Sequence, residues 1–416
     1  MKRYLYIIIG IIVAAIIAIL VLFLFRGSSA LSGILPASIT GLLPSAGTQG
    51  SNNSGGSTTG FGSSTTTGAS SSTGQNSPVQ SFNMTSIGPI IDYFVDAQGN
   101  VTAVQPSGEV IAVSGNRSST ISSNPIGNII STSFSYDGKM LLVNYGDPGN
   151  PQSGVFHVAS GTWTGLPQGL HSPQWSPSGY QIAYLNDPGT GASSLSILNA
   201  ANIKSGIATL LTLSATNFSL QRITKNQFVL SDKPSAQTAG SSWLYSSQTK
   251  TLTPIAYETL GFESVWDDST TTIGLAFFEN PNSQKLGLRL IDAAGNDLHD
   301  LSFLTLPTKC LFNNETSSAV AATTTAATAT STAFLYCGVP NDPSQLSSAQ
   351  LPDDYNDGAL FTSDKIIKIN TNTGELATLW NGSTQSVDAT DLKFANHTLY
   401  FINRYDQKLY SLVLAQ

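Results

Sequence analysis

The chain has 416 residues, of which only 10% are charged, with 18 Lys and Arg against 25 Asp and Glu for a net charge of −7; soluble domains ordinarily carry roughly 25%. The acidic balance excludes a nucleic-acid surface of clustered Lys and Arg. Two Cys and four His leave little room for a zinc framework or a haem site.

Lys2 and Arg3 precede an uncharged apolar run, residues 4–25, closed by Arg26. At about 1.5 Å per residue this run spans roughly 33 Å as a helix, enough for a bilayer core of about 30 Å. It is longer than the h-region of a cleaved signal peptide, about 7–15 residues, so a transmembrane signal anchor is expected. The positive-inside rule leaves residues 1–3 in the cytoplasm and places the rest outside. The partner implied for residues 4–25 is therefore the cytoplasmic membrane.

Residues 27–80 contain no charge, and 21 of the 27 residues from Ser51 to Ser77 are Ser, Gly or Thr. Such a chain cannot bury enough apolar surface to offset its entropy, and a disordered tether with an r.m.s. span of roughly 40 Å is expected.

From residue 81 to 416 the texture changes to short apolar or alternating runs separated by Gly, Asn, Asp and Pro, which reads as all-β. Two segments are clearest: Phe134-Ser135-Tyr136-Asp137-Gly138 before Met140-Leu141-Leu142-Val143, and Trp175-Ser176-Pro177-Ser178-Gly179 before Gln181-Ile182-Ala183-Tyr184. Each is an aromatic, a Ser, a Gly-centred turn and a strand. Weaker copies place the anchors at 94, 134, 175, 223, 266, 312 and 394, at intervals of 40, 41, 48, 43, 46 and 82. A second hairpin within the intervals, as at Val158–Trp163, gives four strands per repeat. Such a period marks a β-propeller, expected here with seven four-stranded blades. Residues 388–414 supply about three strands of the last blade, and residues 81–87 are the expected fourth. Phe134, Asp137, Gly138, Trp175, Ser178, Gly179 and Trp266 are expected to be structural residues of the blades.

These Phe/Trp-Ser-x-Asp/Ser-Gly repeats resemble the TolB-like, WD40-like propeller repeat of bacterial envelope proteins. Trp266-Asp267 opens its hairpin and no Gly-His precedes it, unlike the eukaryotic WD40 pattern. The resemblance implies a scaffold role in the envelope.

Chemistry-bearing patterns are sparse. The histidines, at 157, 171, 299 and 397, have no metal-ligand spacing, and no G-x-S-x-G elbow occurs. The acidic run Asp353-Asp354-Tyr355-Asn356-Asp357-Gly358, followed by Asp364, offers a calcium loop through Asp353, Asp357 and Asp364. Tyr355 at its third position and Asp at its twelfth favour a solvated loop instead. No other cofactor is expected. Connection 341–363 should lie outside the blades, so that its removal leaves the fold intact. Ala and Thr fill 12 of the 14 positions from Ala319 to Thr332, expected as an extended hairpin tip between Cys310 and Cys337. If the strands around that tip are antiparallel arms, the two Cys face one another and form a disulfide in an oxidising exterior.

The expected function is non-enzymatic binding of envelope protein or wall polymer by a tethered propeller. The rival is a glycan hydrolase or lyase using axial carboxylates, with Asp92, Asp137, Glu263 and Asp391 as candidates.

Overall fold

In the computed structural model the described residues are 79–415, apart from 87, 115–116, 188, 190, 268–272, 281–284, 317–330 and 383–384. The expected anchor and nearly all of the expected tether lie outside them. No helix among the described residues is long and apolar enough to cross a membrane.

Seven four-stranded antiparallel sheets form the seven blades. Their first strands are Asp92–Val95, Ile129–Phe134, Leu170–Trp175, Phe218–Arg222, Glu263–Trp266, Cys310–Thr316 and Ala389–Ala395, in blade order. Most first strands approach that of the neighbouring blade, and that of blade 1 meets those of blades 2 and 7, so these strands form the inner ring. Val79–Met84 is the outermost strand of blade 7, paired antiparallel with Lys408–Leu414 from Val79↔Leu414 to Met84↔Tyr410. The chain's early strand thereby closes the ring, as expected. Phe82 fastens it, stacking on Trp380 of blade 6 at 4.9 Å and on Tyr410 at 5.4 Å between ring centres.

The apolar side chains form seven clusters, each holding residues of two adjacent blades. Strand periodicity explains this division. In Met140–Asp147, Leu141 and Val143 pack toward blade 1, while Met140 and Leu142 pack toward blade 3. Both faces of the strand are covered, which is why its sequence is continuously apolar rather than alternating.

The hairpin motifs lock neighbouring blades. Ser135 Oγ accepts from Met140 N at 3.0 Å and lies 3.0 Å from Asp137 Oδ1, closing the turn. Gly138 has φ +69°, and a Cβ there would lie 2.2 Å from the Phe94 ring of blade 1. Tyr180 in blade 3 donates to Asp137 Oδ2 at 2.7 Å, and Trp175 Nε1 donates to Ser133 O at 2.8 Å. Gly179, with φ +77°, makes the equivalent turn beside Ser178, and Trp266 is buried in the blade 4–5 cluster.

Antiparallel order sorts the connections. Those joining second to third strands, and fourth strands to the next blade, lie on one face of the ring, the loop face. The first-to-second and third-to-fourth hairpins lie on the opposite face.

Candidate functional site

The loop face holds a polar centre built from four connections. Lys309 ends the approach to blade 6, and Thr362 and Asp364 end the 341–363 connection and open the following strand. Asp388 precedes blade 7, and Arg404 begins that blade's second-to-third turn. Lys309, Asp364 and Asp388 have fully buried side chains. Lys309 Nζ lies 2.8 Å from Asp364 Oδ2 and 2.7 Å from Asp388 Oδ1, and it also donates to Thr362 Oγ1. Arg404 Nη1 meets Asp388 Oδ2 at 3.1 Å, while Nη2 donates to Tyr355 O at 2.9 Å. Tyr355 Oη donates to Asp388 Oδ1 at 3.1 Å. Burial opposes the Lys309 charge, but Asp364, Tyr355 and Asp388 outweigh it and hold the ammonium above its ordinary range. For Asp364 burial is the larger influence and pushes the carboxyl up, while Lys309 pulls it back.

Connection 341–363 lies outside the blade strands, as expected, but this centre corrects the expectation that its removal leaves the fold intact. The connection carries two short helices, Ser344–Ser347 and Asp353–Asn356, and buries Leu346, Leu351 and Tyr355 in the cluster between blades 5 and 6. Composition made the segment look solvated, yet its few apolar residues are core. Deleting it would expose that cluster and strip Asp388 and Arg404 of partners, so the fold would not survive intact.

Nor are Asp353, Asp357 and Asp364 brought together around a cation. Asp353 Oδ2 accepts from Ser235 Oγ at 3.2 Å and Ala236 N at 2.9 Å, tying the connection to blade 4. Asp357 is the exposed residue that ends the second short helix, and Asp364 faces Lys309. No group of three His, Cys, Asp or Glu that could hold a metal occurs among the described residues. The histidines stay apart on blades 2, 3, 5 and 7.

Above the centre stands an exposed aromatic pair. Phe361 from the connection and Tyr405 from blade 7 stack with ring centres 5.5 Å apart, and they are 41% and 49% exposed. The Arg404 guanidinium lies 4.8 Å from the Phe361 ring centre and 3.9 Å from that of Tyr355.

The four candidate carboxylates have different fates. Asp137 is held on the hairpin face: burial works against its charge, but bonds from Tyr180 and Lys139 prevail and hold the carboxyl at about 2. Asp92 and Asp391, on the inner strands of blades 1 and 7, share one ammonium. Lys393 Nζ lies 2.8 Å from Asp92 Oδ1 and 3.2 Å from Asp391 Oδ2. Asp391 sits at a β-bulge with φ +50°, a backbone state that side chains other than Gly rarely adopt. Burial, more than Lys393 can offset, pushes its carboxyl up to about 6. About a third of that side chain remains open, as befits a group on the inner ring that is surrounded by protein but faces solvent.

Glu263, first residue of blade 5, borders a cleft between blades 4 and 5. Its Oε2 is buried with no hydrogen-bond partner among the described residues, and burial alone pushes the carboxyl up to about 7. With its pKa raised on folding, Glu263 keeps its proton in the native state while the unfolded chain has lost it. Its contribution is therefore most favourable below about pH 4.5, falls as pH rises to about 7, and is flat beyond. Glu263→Gln should gain stability relative to the parent across that window, reaching about 3 kcal/mol near pH 8 in denaturant melts. A pH-independent difference would refute the assignment.

No family model matches the chain, and no curated protein matches it. Solved structures similar to it in fold are β-propellers. Oligogalacturonate lyase from Vibrio parahaemolyticus is 7% identical with a TM-score of 0.50, over 79% of this chain and 91% of that one. An uncharacterized protein from Listeria monocytogenes is 11% identical with a TM-score of 0.48, over 80% and 98%. The tricorn protease is 9% identical with a TM-score of 0.45 over 79% of this chain, which spans 34% of that protein's length. At such identities the likeness shows the fold alone.

Proposed function

We propose that this protein is a membrane-tethered propeller, displayed outside the cytoplasm, whose loop face binds an envelope protein or wall polymer without transforming it. The observation that carries the reading is the exposed Phe361–Tyr405 pair beside Arg404, which is anchored to the buried Lys309–Asp364–Asp388 centre. Exposed stacked rings lose contact with water when a partner covers them, and aromatic anchors of this kind dominate binding energy. Arg404, held by Asp388, lies against Phe361, which in turn stacks on Tyr405, and this pre-ordering lowers the cost of association. The resemblance to TolB-like repeats agrees with a scaffold role. The apolar run 4–25 supplies the tether's anchor, and the disulfide between Cys310 and Cys337 suits an oxidising exterior.

The full chain, purified in detergent, should retain an envelope protein or isolated wall polymer, with the two presented separately. Phe361→Ala with Tyr405→Ala should weaken retention by about 30-fold or more, the scale of losing a hot spot, while the thermal midpoint moves little. Unchanged retention would refute the loop-face site. Protease added outside spheroplasts should release the propeller by cutting within 27–80, and protection of the domain would refute the topology.

A second reading has its own observation. Asp92 and Asp391 are carboxylates from different blades on one ammonium, and Asp391 at about 6 is suited to donating a proton near neutrality. That arrangement supports a glycan hydrolase or lyase at the inner ring. Turnover of a polysaccharide that Asp391→Asn abolishes, with the fold retained, would replace the binder reading.

A further inference from the structure

The junction between blades 3 and 4 holds a cleft of about 170 Å³ at the loop-face ends of its strands, away from the aromatic pair and from the inner-ring carboxylates. Asp187 follows the second strand of blade 3, Gln181–Asn186, and Lys233 follows the second strand of blade 4, Gln227–Asp232. His171 lies opposite Leu185 in the ladder between the first two strands of blade 3, so their side chains share a face. That face is the blade 3–4 interface, because Leu185 belongs to the apolar cluster there and Phe218, first residue of blade 4, packs against the same cluster. The bulge after His171 brings Ser172 to the lining as well, which strict alternation would prevent.

Asp187 and Lys233 are the only Asp, Glu, Lys or Arg in the lining. They do not pair with each other, and neither joins an ion pair elsewhere among the described residues. Asp187 Oδ1 accepts from Gly189 N at 2.8 Å, which leaves Oδ2 without a hydrogen bond among the described residues. Opposite charges that border one small cavity without meeting are each left to water, and a ligand carrying both complementary charges engages both.

We infer that this cleft binds a small aliphatic α-amino acid, with its ammonium on Asp187 and its carboxylate on Lys233. The two charges of such a ligand sit on neighbouring atoms of one carbon, which suits a cavity of this size. Its side chain meets the apolar wall of Leu185 and Phe218. A simple anion leaves Asp187 opposing it, and a simple cation leaves Lys233 opposing it. A metal ion fits poorly, because one carboxylate and one imidazole fall short of the ligand sets that zinc or calcium takes, and no metal-holding group of three occurs among the described residues.

The probes are L-alanine, L-alaninamide and N-acetyl-L-alanine, which carry both charges, the ammonium alone and the carboxylate alone. Saturation-transfer NMR titrations on the full chain in detergent, near neutral pH, should show L-alanine bound at least about tenfold more tightly than either of the others, the scale of one charge-assisted bond. Asp187→Asn retains an oxygen to accept from Gly189 N, and it should weaken L-alanine at least about tenfold and leave it level with N-acetyl-L-alanine. Lys233→Met should weaken L-alanine by a similar factor and leave it level with L-alaninamide. Equal affinities for the three probes, undiminished binding of L-alanine in either variant, or no binding of L-alanine would each overturn the inference.

Discussion

Lys309→Met should cost the propeller about 3–5 kcal/mol, read as a fall in the denaturant midpoint with an unchanged slope. The substitution keeps the length and apolar stem of the side chain but removes the charge that lies between Asp364 and Asp388, both fully buried. Arg404 then faces two carboxylates while contacting only Asp388 among them. Breaking a buried pair from one side leaves an uncompensated charge, and this costs far more than the pair contributes when intact. The damage should concentrate where the network ties 341–363 to blades 6 and 7, so protease should cut that connection first. Adding Asp364→Asn to Lys309→Met should recover part of the loss, because one orphaned carboxylate becomes neutral. A single-mutant loss within about 0.5 kcal/mol would mean that the centre is hydrated rather than buried.

Removal of the disulfide should have an effect of similar size. Cys310 and Cys337 sit directly opposite one another in the first two strands of blade 6, with Cα atoms 4.2 Å apart. The bridge spans a sequence separation of 27 residues, and chain-entropy reasoning assigns such a loop about 3–4 kcal/mol. Cys310→Ala with Cys337→Ala should lower the stability of the fold by about that amount. Both sulfurs lie within the blade 5–6 cluster, so the alanines also leave a cavity. Thiol titration of denatured, unreduced parent protein should find no free thiol. Two titratable thiols, or an unchanged midpoint in the double variant, would contradict the prediction.

The inter-blade contacts explain why parts of this architecture are legible in the sequence. Phe134, Trp175 and Trp266 each end the first strand of a blade, and Phe94 and Phe394 lie one residue from the ends of theirs. Their spacing counts blades because each repeat must bury the same faces against its neighbours. The two cysteines can be paired for a similar reason, since residues flanking one hairpin tip are forced into register by the ladder between its arms. Ring closure by Val79–Met84 is legible because three strands at the chain's end leave one edge open.

The Asp353–Asp357 run misleads for an equally physical reason. Acidic composition signals solvation only when no partner is near. Asp353 finds Ser235 and Ala236, residues more than a hundred positions away, and Tyr355 between the acids turns inward to Asp388. Separations of that kind leave no periodic trace in the chain.

The seven-bladed ring, its closure and its disulfide can be read along the chain, because these follow from strand alternation, Gly-centred turns and pairing between neighbouring strands. Which polar groups act together is settled in the assembled fold. Lys309 meets Asp364 and Asp388, Asp92 meets Asp391 through Lys393, and Glu263 Oε2 is buried with no hydrogen-bond partner among the described residues. Those juxtapositions arise where separate connections and inner strands converge between blades. There Coulomb attraction and desolvation depend on distance in space, and position along the chain does not encode it.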